Sequence, residues 1–165
     1  RSRYENHNND ENDPGYRQFL LRAINPLTNY IKQADNGLDF GCGPGPTTSK
    51  IMNEMGYQVI DYDPYFKPIE LNTSFDFIIS TEVFEHLNSP RKELKLIKKL
   101  LKPNAYLCIM TQLYSETIDF QNWWYKNDPT HIVFYTQETM EWIANHYHLE
   151  IVHSKKNVMI FRNES

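Results

Sequence analysis

The run Glu82-Val83-Phe84-Glu85-His86 holds the densest set of reactive side chains in this sequence. Glu82 and Glu85 stand three apart and Glu82 and His86 four apart, so a helical turn puts all three on one face. Two carboxylates and an imidazole grouped this way can hold a divalent cation; the competing role is packing and hydrogen bonding within a loop. Further along, His131 is the candidate general base, because an imidazole can take a proton from a hydroxyl near neutral pH. Asp128 is placed to orient it. The alternative is a structural histidine that ties its loop to a helix starting after Thr136. Around it, Trp123, Trp124, Tyr125, Phe134 and Tyr135 offer flat faces to an aromatic or cationic acceptor, or else fill core.

A glycine-rich turn forms a second centre. Leu38-Asp39-Phe40 runs into Gly41-Cys42-Gly43-Pro44-Gly45, where glycines permit positive φ and let a ligand approach the backbone. The spacing is G-x-G-x-G. A dinucleotide fingerprint needs its third glycine where Pro46 stands, which disfavours a dehydrogenase. Asp39 would repel a pyrophosphate and attract an ammonium group. Asp63, about 20 residues beyond Gly43, ends the next strand, where a carboxylate can accept both hydroxyl hydrogens of a ribose. Asp63-Pro64 also reads as a simple turn opener.

These side chains need a scaffold, and the hydrophobic periodicity predicts one. Residues 1–13 are a polar, asparagine-rich arm, in which Tyr4 and His7 either fold over a ligand or fray with the terminus. A single domain spans 14–165, beginning with two short lead-in helices over 14–35 that are broken at Asn25-Pro26. Strands follow at 38–41, 57–62, 75–80 and 106–111, with helices at 46–55, after Ser89-Pro90 and from Thr136. Residues 149–153 and 158–161 make a terminal hairpin. The alternation predicts an α/β protein with a doubly wound, mostly parallel sheet and an antiparallel C-terminal edge. Ligands of such sheets bind beyond the carboxyl ends of the strands.

The chain has 165 residues, 40% of them hydrophobic, enough for one core. Its net charge of -4 lacks the basic surplus of a nucleic-acid binder. The cluster Arg91, Lys92, Lys95, Lys98, Lys99 and Lys102 reads as a solvated helix face. Two cysteines, Cys42 and Cys108, make no disulfide framework, and no long apolar run is present. A cytoplasmic location is the expectation. The chain opens on Arg1 rather than Met, as a piece of a longer protein would.

Taken in order, Leu38 to Gly45, Asp61-Tyr62-Asp63, Phe75-Asp76-Phe77-Ile78-Ile79, Glu82 to His86 and Leu101-Lys102-Pro103 resemble the class I S-adenosylmethionine-dependent methyltransferases. The similarity runs over residues 37–162 and is closest to the ubiquinone-biosynthesis-like group. It implies a Rossmann-like, seven-stranded sheet ending in a hairpin. It implies that Gly41, Cys42, Gly43 and Gly45 surround the methionine part of S-adenosylmethionine, with Asp39 beside them. Asp63 would hold the ribose, Tyr65 or Phe66 would flank the adenine, and backbone near Ser80 and Thr81 would line the sulfonium side, with Glu82 projecting toward the methyl. The ubiquinone-type enzymes use the E-V-x-E-H pattern for magnesium, and small-RNA 2′-O-methyltransferases add a later histidine. Glu82, Glu85, His86 and His131 are thus the candidate Mg2+ ligands, and Glu85 and His86 join His131 as catalytic candidates. Two features depart from the pattern. The segment between Asp63 and Phe75 is short for the usual third strand, and Asn104-Ala105 replaces a common glycine pair. O-methylation of a small-molecule acceptor is the leading expectation. RNA 2′-O-methylation and a non-catalytic cofactor-binding module are the alternatives.

Overall fold

A computed structural model describes residues 12–165. The expected arm, with Tyr4 and His7, falls almost wholly outside the described residues.

Helix α1 (Pro14–Leu27) starts on a strong signal: the Asp13 carboxylate accepts the N–H of Gly15 at 2.9 Å, and Pro14 takes the first helical position. Two lead-in helices were expected, but α1 runs through Asn25-Pro26 as one helix and no second follows. Pro26 sits in its last turn, and the chain leaves through the Thr28 N–H, which donates to the Ile24 carbonyl at 3.0 Å. Residues 28–35 are turns, with the Asp35 carboxylate accepting the Lys32 N–H at 2.8 Å.

Strand and helix then alternate: β1 (Asn36–Phe40), α2 (Thr47–Glu54), β2 (Gln58–Tyr62), β3 (Phe75–Thr81), α3 (Pro90–Leu100), β4 (Leu101–Met110), α4 (Gln137–His146), β5 (Leu149–Lys155) and β6 (Val158–Asn163). They form one sheet in the order β2-β1-β3-β4-β6-β5. The first four strands are parallel and β6 and β5 make the antiparallel edge. The sheet is therefore Rossmann-like, as expected, with six strands instead of seven. The missing strand belongs to residues 64–74. The chain turns back immediately after Asp63, whose N–H and carbonyl exchange hydrogen bonds with Lys67 at 3.1 and 2.9 Å. A strand plus its crossover needs about a dozen residues, which that segment lacks.

Losing that strand leaves β2 at the edge, and α2 closes it. Asn53 takes the Val59 N–H on its Oδ1 at 2.9 Å and donates Nδ2 to the Val59 carbonyl at 3.4 Å, as a neighbouring strand would. Asn53→Ala is expected to cost about 1–2 kcal/mol. The melting temperature should then fall by roughly 2–6 °C; an unchanged melting curve would show that water serves the edge equally well.

Two cores flank the sheet. Leu20, Ile24 and Leu27 of α1 meet Phe77, Ile79, Cys108 and Ile160 on one face. On the other, α3 and α4 place Ile97, Leu100, Met140 and Ile143 against Ile78, Leu107, Ile109 and Phe161. Lys92, Lys95 and Lys99 of α3 are exposed on its outer side, and Lys102, at the start of β4, pairs with Asp76 at 3.1 Å. β4 begins at Leu101, earlier than its hydrophobic run suggests. Asn104 adopts φ 64 there, the left-handed geometry a glycine would otherwise supply. Among the described residues no helix is long and apolar enough to cross a membrane.

Candidate active site

The two predicted centres meet around one cavity of about 390 Å3 at the carboxyl ends of β1, β3 and β4. Asp39 and the glycine turn form one wall. Gly41 and Gly43 hold φ +82 and +72. A Cβ on Gly41 would come within 2.7 Å of Val83, while one on Gly43 would meet nothing within 4 Å, because that side opens into the cavity. The turn is pinned from β2. The N–H groups of Gly41 and Cys42 donate to the Tyr62 carbonyl at 2.8 and 3.1 Å, and the Gly43 N–H donates to Asp63 Oδ2 at 3.0 Å.

This wall is strongly electronegative. Asp39 is buried, and burial first, then the charges of Asp61 and Asp63, holds its carboxyl well above the usual range. Among the described residues no side-chain hydrogen bond or ion pair reaches the Asp39 carboxylate, which lines the cavity, and Asp61 Oδ1 is fully buried without a hydrogen-bond partner. Burial and the charges of Asp39 and Glu82 push Tyr16, on α1 across the cavity, up to about 12, so its hydroxyl stays protonated. Burial also raises the Cys42 thiol far from thiolate formation, which leaves it no nucleophilic role.

The opposite wall follows β3. Glu82 sits at φ 54, a left-handed conformation uncommon outside glycine, and its N–H donates to the Met110 carbonyl at 2.8 Å. The next turn is a 3-10 helix (Phe84–His86), which carries Glu85 inward to full burial. The Tyr125 hydroxyl lies 2.8 Å from Glu82 Oε2 and 2.6 Å from Glu85 Oε2, and Thr111 Oγ1 donates to Glu85 Oε2 at 2.6 Å. One hydroxyl carries one proton, so two such short contacts require a second proton on the carboxyl pair. Burial, then the charge of Glu82, pushes Glu85 up to about 8, and burial raises Glu82 as well. The short Tyr125 contacts and the raised carboxyls both favour sharing of a proton within the pair.

That sharing has a measurable consequence. Glu85 binds its proton more tightly in the folded state, up to about 8 against an ordinary 4.5. Its contribution to stability is fully present below the lower value and is lost as pH rises through the upper. Glu85→Gln is expected to flatten the decline in melting temperature between those values and to melt above wild type on the alkaline side. Parallel slopes for the two proteins would contradict it.

A loop over residues 113–135 closes the cavity. Tyr114, Phe120, Trp123 and Phe134 cluster with ring centroids 5.4–6.1 Å apart. The Glu85 carbonyl accepts the N–H groups of Ile132 and Val133 at 2.8 and 3.2 Å. This fixes His131. Its Nδ1 lies 2.6 Å from the Tyr125 carbonyl, and that of His86 2.8 Å from the Thr130 carbonyl. A carbonyl only accepts, so each Nδ1 donates, and in the neutral ring each Nε2 carries the lone pair. His131 Nε2 stands 3.6 Å from Asp128 Oδ2, and His86 Nε2 3.7 Å from Glu85 Oε1. The ring of His131 is thus oriented by the Tyr125 carbonyl, with Asp128 on its basic nitrogen.

Asp39, Gly41, Cys42, Gly43, Gly45, Thr81, Glu82, His86 and His131 all line the cavity. Glu85 is sealed behind it. Ser80 turns its hydroxyl to the Phe40 carbonyl at 3.0 Å, and Tyr65 stands 73% exposed, away from the lining. Asp63 lies behind the glycine turn, with Oδ1 taking the N–H groups of Tyr65 and Phe66 at 2.8 and 3.2 Å. Glu82, Glu85, His86 and His131 are neighbours, yet among the described residues no group of three or more metal-binding side chains is gathered as a metal site. Lining residues that the sequence reading passed over are Tyr16, Phe19 and Leu20 of α1, Thr47 and Thr48 of α2, and Gln112. The amphipathic stripe of α1 was legible, but not the cavity beneath it.

The methyltransferase domain family matches residues 13–154, and the chain belongs to it. Its fold is that of the class I S-adenosylmethionine-dependent enzymes. A 1,6-didemethyltoxoflavin-N1-methyltransferase from Burkholderia thailandensis, solved with 1,6-didemethyltoxoflavin and S-adenosylhomocysteine, superposes with a TM-score of 0.70 at 15% identity. It covers 99% of this chain and 85% of its own. The magnesium protoporphyrin IX methyltransferase of Synechocystis, with bound S-adenosylhomocysteine, gives 0.66 at 13% identity over 90% and 82% of the two chains. A methyltransferase from Methanosarcina mazei gives 0.65 at 17% identity over 84% and 96%. No curated protein sequence matches the chain.

Proposed function

We propose that this chain binds S-adenosylmethionine in the cavity and directs its methyl to a hydroxyl of a small-molecule acceptor. One observation carries the cofactor half: the buried, unpartnered carboxylate of Asp39, beside a glycine turn whose Gly43 side is open space. An uncompensated carboxylate in a low-dielectric wall calls for a cation, and the ammonium of the methionine moiety is one. Asp63 holds the glycine turn in shape and has lone-pair capacity left for the ribose hydroxyls.

Bound S-adenosylmethionine supplies a methyl carbon already activated by its sulfonium. The chain's own work is alignment and exclusion of water. Glu82 and Gln112 wall the reacting end, and the 113–135 loop shields it. His131 Nε2, unprotonated in the neutral ring, would take the proton that the acceptor hydroxyl releases as its oxygen bonds to the methyl carbon and the carbon–sulfur bond breaks, its electron pair staying on sulfur as a neutral thioether. Trp124, 62% exposed at the rim, offers a flat face to the incoming acceptor. Closer kinship with the ubiquinone-biosynthesis-like group is proposed on the sequence resemblance over residues 37–162, which includes the Glu82–His86 run.

A second reading, a magnesium ion on Glu82, Glu85, His86 and His131, draws on Glu85 Oε1, which is buried with no hydrogen-bond partner. It requires the carboxylates to leave the Tyr125 hydroxyl. Dialysis against EDTA decides it: activity lost and restored by Mg2+ supports the ion, and undiminished activity removes it. The main test is calorimetric titration with S-adenosylhomocysteine, for which one site per chain is expected. No binding would overturn the cofactor reading.

A further inference from the structure

Beside the active-site cavity runs a second, more open groove of about 820 Å3, walled by α1 and the tip of the β5–β6 hairpin. Phe19 lines both spaces. The chain carries a net charge of -4, yet among the described residues the ionisable groups lining this groove are Arg22, His153, Lys155 and Lys156, with no Asp or Glu. Among the described residues, Arg17 meets Glu54 at 2.6 Å, Lys102 meets Asp76 at 3.1 Å and Arg162 meets Glu150 at 2.7 Å, all outside this groove. Among the described residues Arg22, Lys155 and Lys156 have no ion-pair partner, and Arg22 lies only over the Phe19 ring at 5.9 Å. Gln18 and Asn25 share the Arg22 face of α1 and add amide donors.

The basic hairpin tip is built into the active site. Lys156 and Asn157 form a tight turn at φ 52 and 66. The Asn157 carbonyl accepts the Thr111 N–H at 3.2 Å, and its Oδ1 accepts the Leu113 N–H at 3.0 Å. Thr111 is the residue that holds Glu85. Basic groups converging without acids focus a positive potential that suits a multiply charged anion.

We infer that this groove is a phosphate subsite, so that the acceptor is a phosphorylated small molecule with its reacting hydroxyl in the cavity and its phosphate between α1 and the hairpin tip. This rests on the methyl-transfer reading above. The test is calorimetric titration with inorganic pyrophosphate, with S-adenosylhomocysteine present, on wild type and on Arg22→Gln/Lys155→Gln/Lys156→Asn. Asn at position 156 suits the positive φ of the turn. Wild type is expected to bind one pyrophosphate, the variant at least tenfold more weakly, with S-adenosylhomocysteine affinity within about twofold. Arg22→Gln alone, on the exposed face of a helix, should weaken binding about threefold, and it serves if the triple variant melts early. Equal affinities, or no binding by wild type, overturn the subsite. Single-stranded RNA binding tighter than pyrophosphate and lost in the variant also overturns it, by assigning the groove to nucleic acid. Failure of wild type to bind S-adenosylhomocysteine while still binding pyrophosphate leaves the anion site standing and sinks the methyl-transfer reading instead.

Discussion

Asp63→Ala is expected to weaken S-adenosylhomocysteine binding by roughly a hundredfold and to lower the melting temperature by roughly 4–8 °C. The carboxylate does two jobs at once. It collects the N–H groups of Gly43, Tyr65 and Phe66, tying the glycine turn to the bend after β2. In the proposed complex it also accepts hydrogen bonds from the ribose. Hydrogen bonds to a charged acceptor contribute about 1.5–3 kcal/mol each, and losing two from the complex, taken at the lower end of that range, amounts to roughly two decades in affinity. The stability cost is smaller than three such bonds because water can reach the bend at Tyr65. Asp63→Asn separates the two jobs. Its amide oxygen can still serve Tyr65 and Phe66, while its NH2 would face the Gly43 N–H, donor against donor. That variant should melt near wild type and bind the cofactor at an intermediate strength. Full affinity in Asp63→Ala, with only the melting temperature reduced, would make Asp63 the turn opener its Asp-Pro sequence also suggests.

What could be read from the chain itself was what depends on local chemistry. The Gly41–Gly45 turn, Asp39 beside it and the alternation of strands and helices are local patterns, and the structure places them together at the strand ends. The absent edge strand was legible as a shortage of residues between Asp63 and Phe75. Its replacement by Asn53 was not, because a side chain pairing with the backbone of Val59 across a turn has no sequence signature. The same limit applies to Tyr125. Its aromatic character was visible, but its hydroxyl bridging Glu82 and Glu85 depends on a loop packing back over β3. Pro26 misled in the opposite direction: a proline that usually interrupts a helix stands in the last turn of α1, where the helix was ending anyway. Tertiary closure, not propensity, decided each of these.

His131→Gln is expected to lower kcat by about a hundredfold or more, the usual contribution of a positioned general base, with S-adenosylhomocysteine affinity little changed. The reason lies in the tautomer. Because the Tyr125 carbonyl accepts the Nδ1 proton at 2.6 Å, the lone pair of the neutral ring is on Nε2 of a residue that lines the cavity, and Asp128 Oδ2 at 3.6 Å favours the cation that forms when that nitrogen takes a proton. Glutamine can keep the bond to the Tyr125 carbonyl and hold the loop, but it offers no basic nitrogen. Loop closure and base catalysis are thereby distinguished. Asp128→Asn should cost less, about tenfold, since it removes the charge and leaves the base. His131→Ala leaves an imidazole-sized space, so added imidazole should restore part of its rate. Turnover by His131→Gln equal to wild type, or an alanine variant insensitive to imidazole, would reduce His131 to a residue that ties down its loop. The acceptor proton would then leave by way of solvent or pass to another titratable group lining the cavity, such as Glu82 or His86.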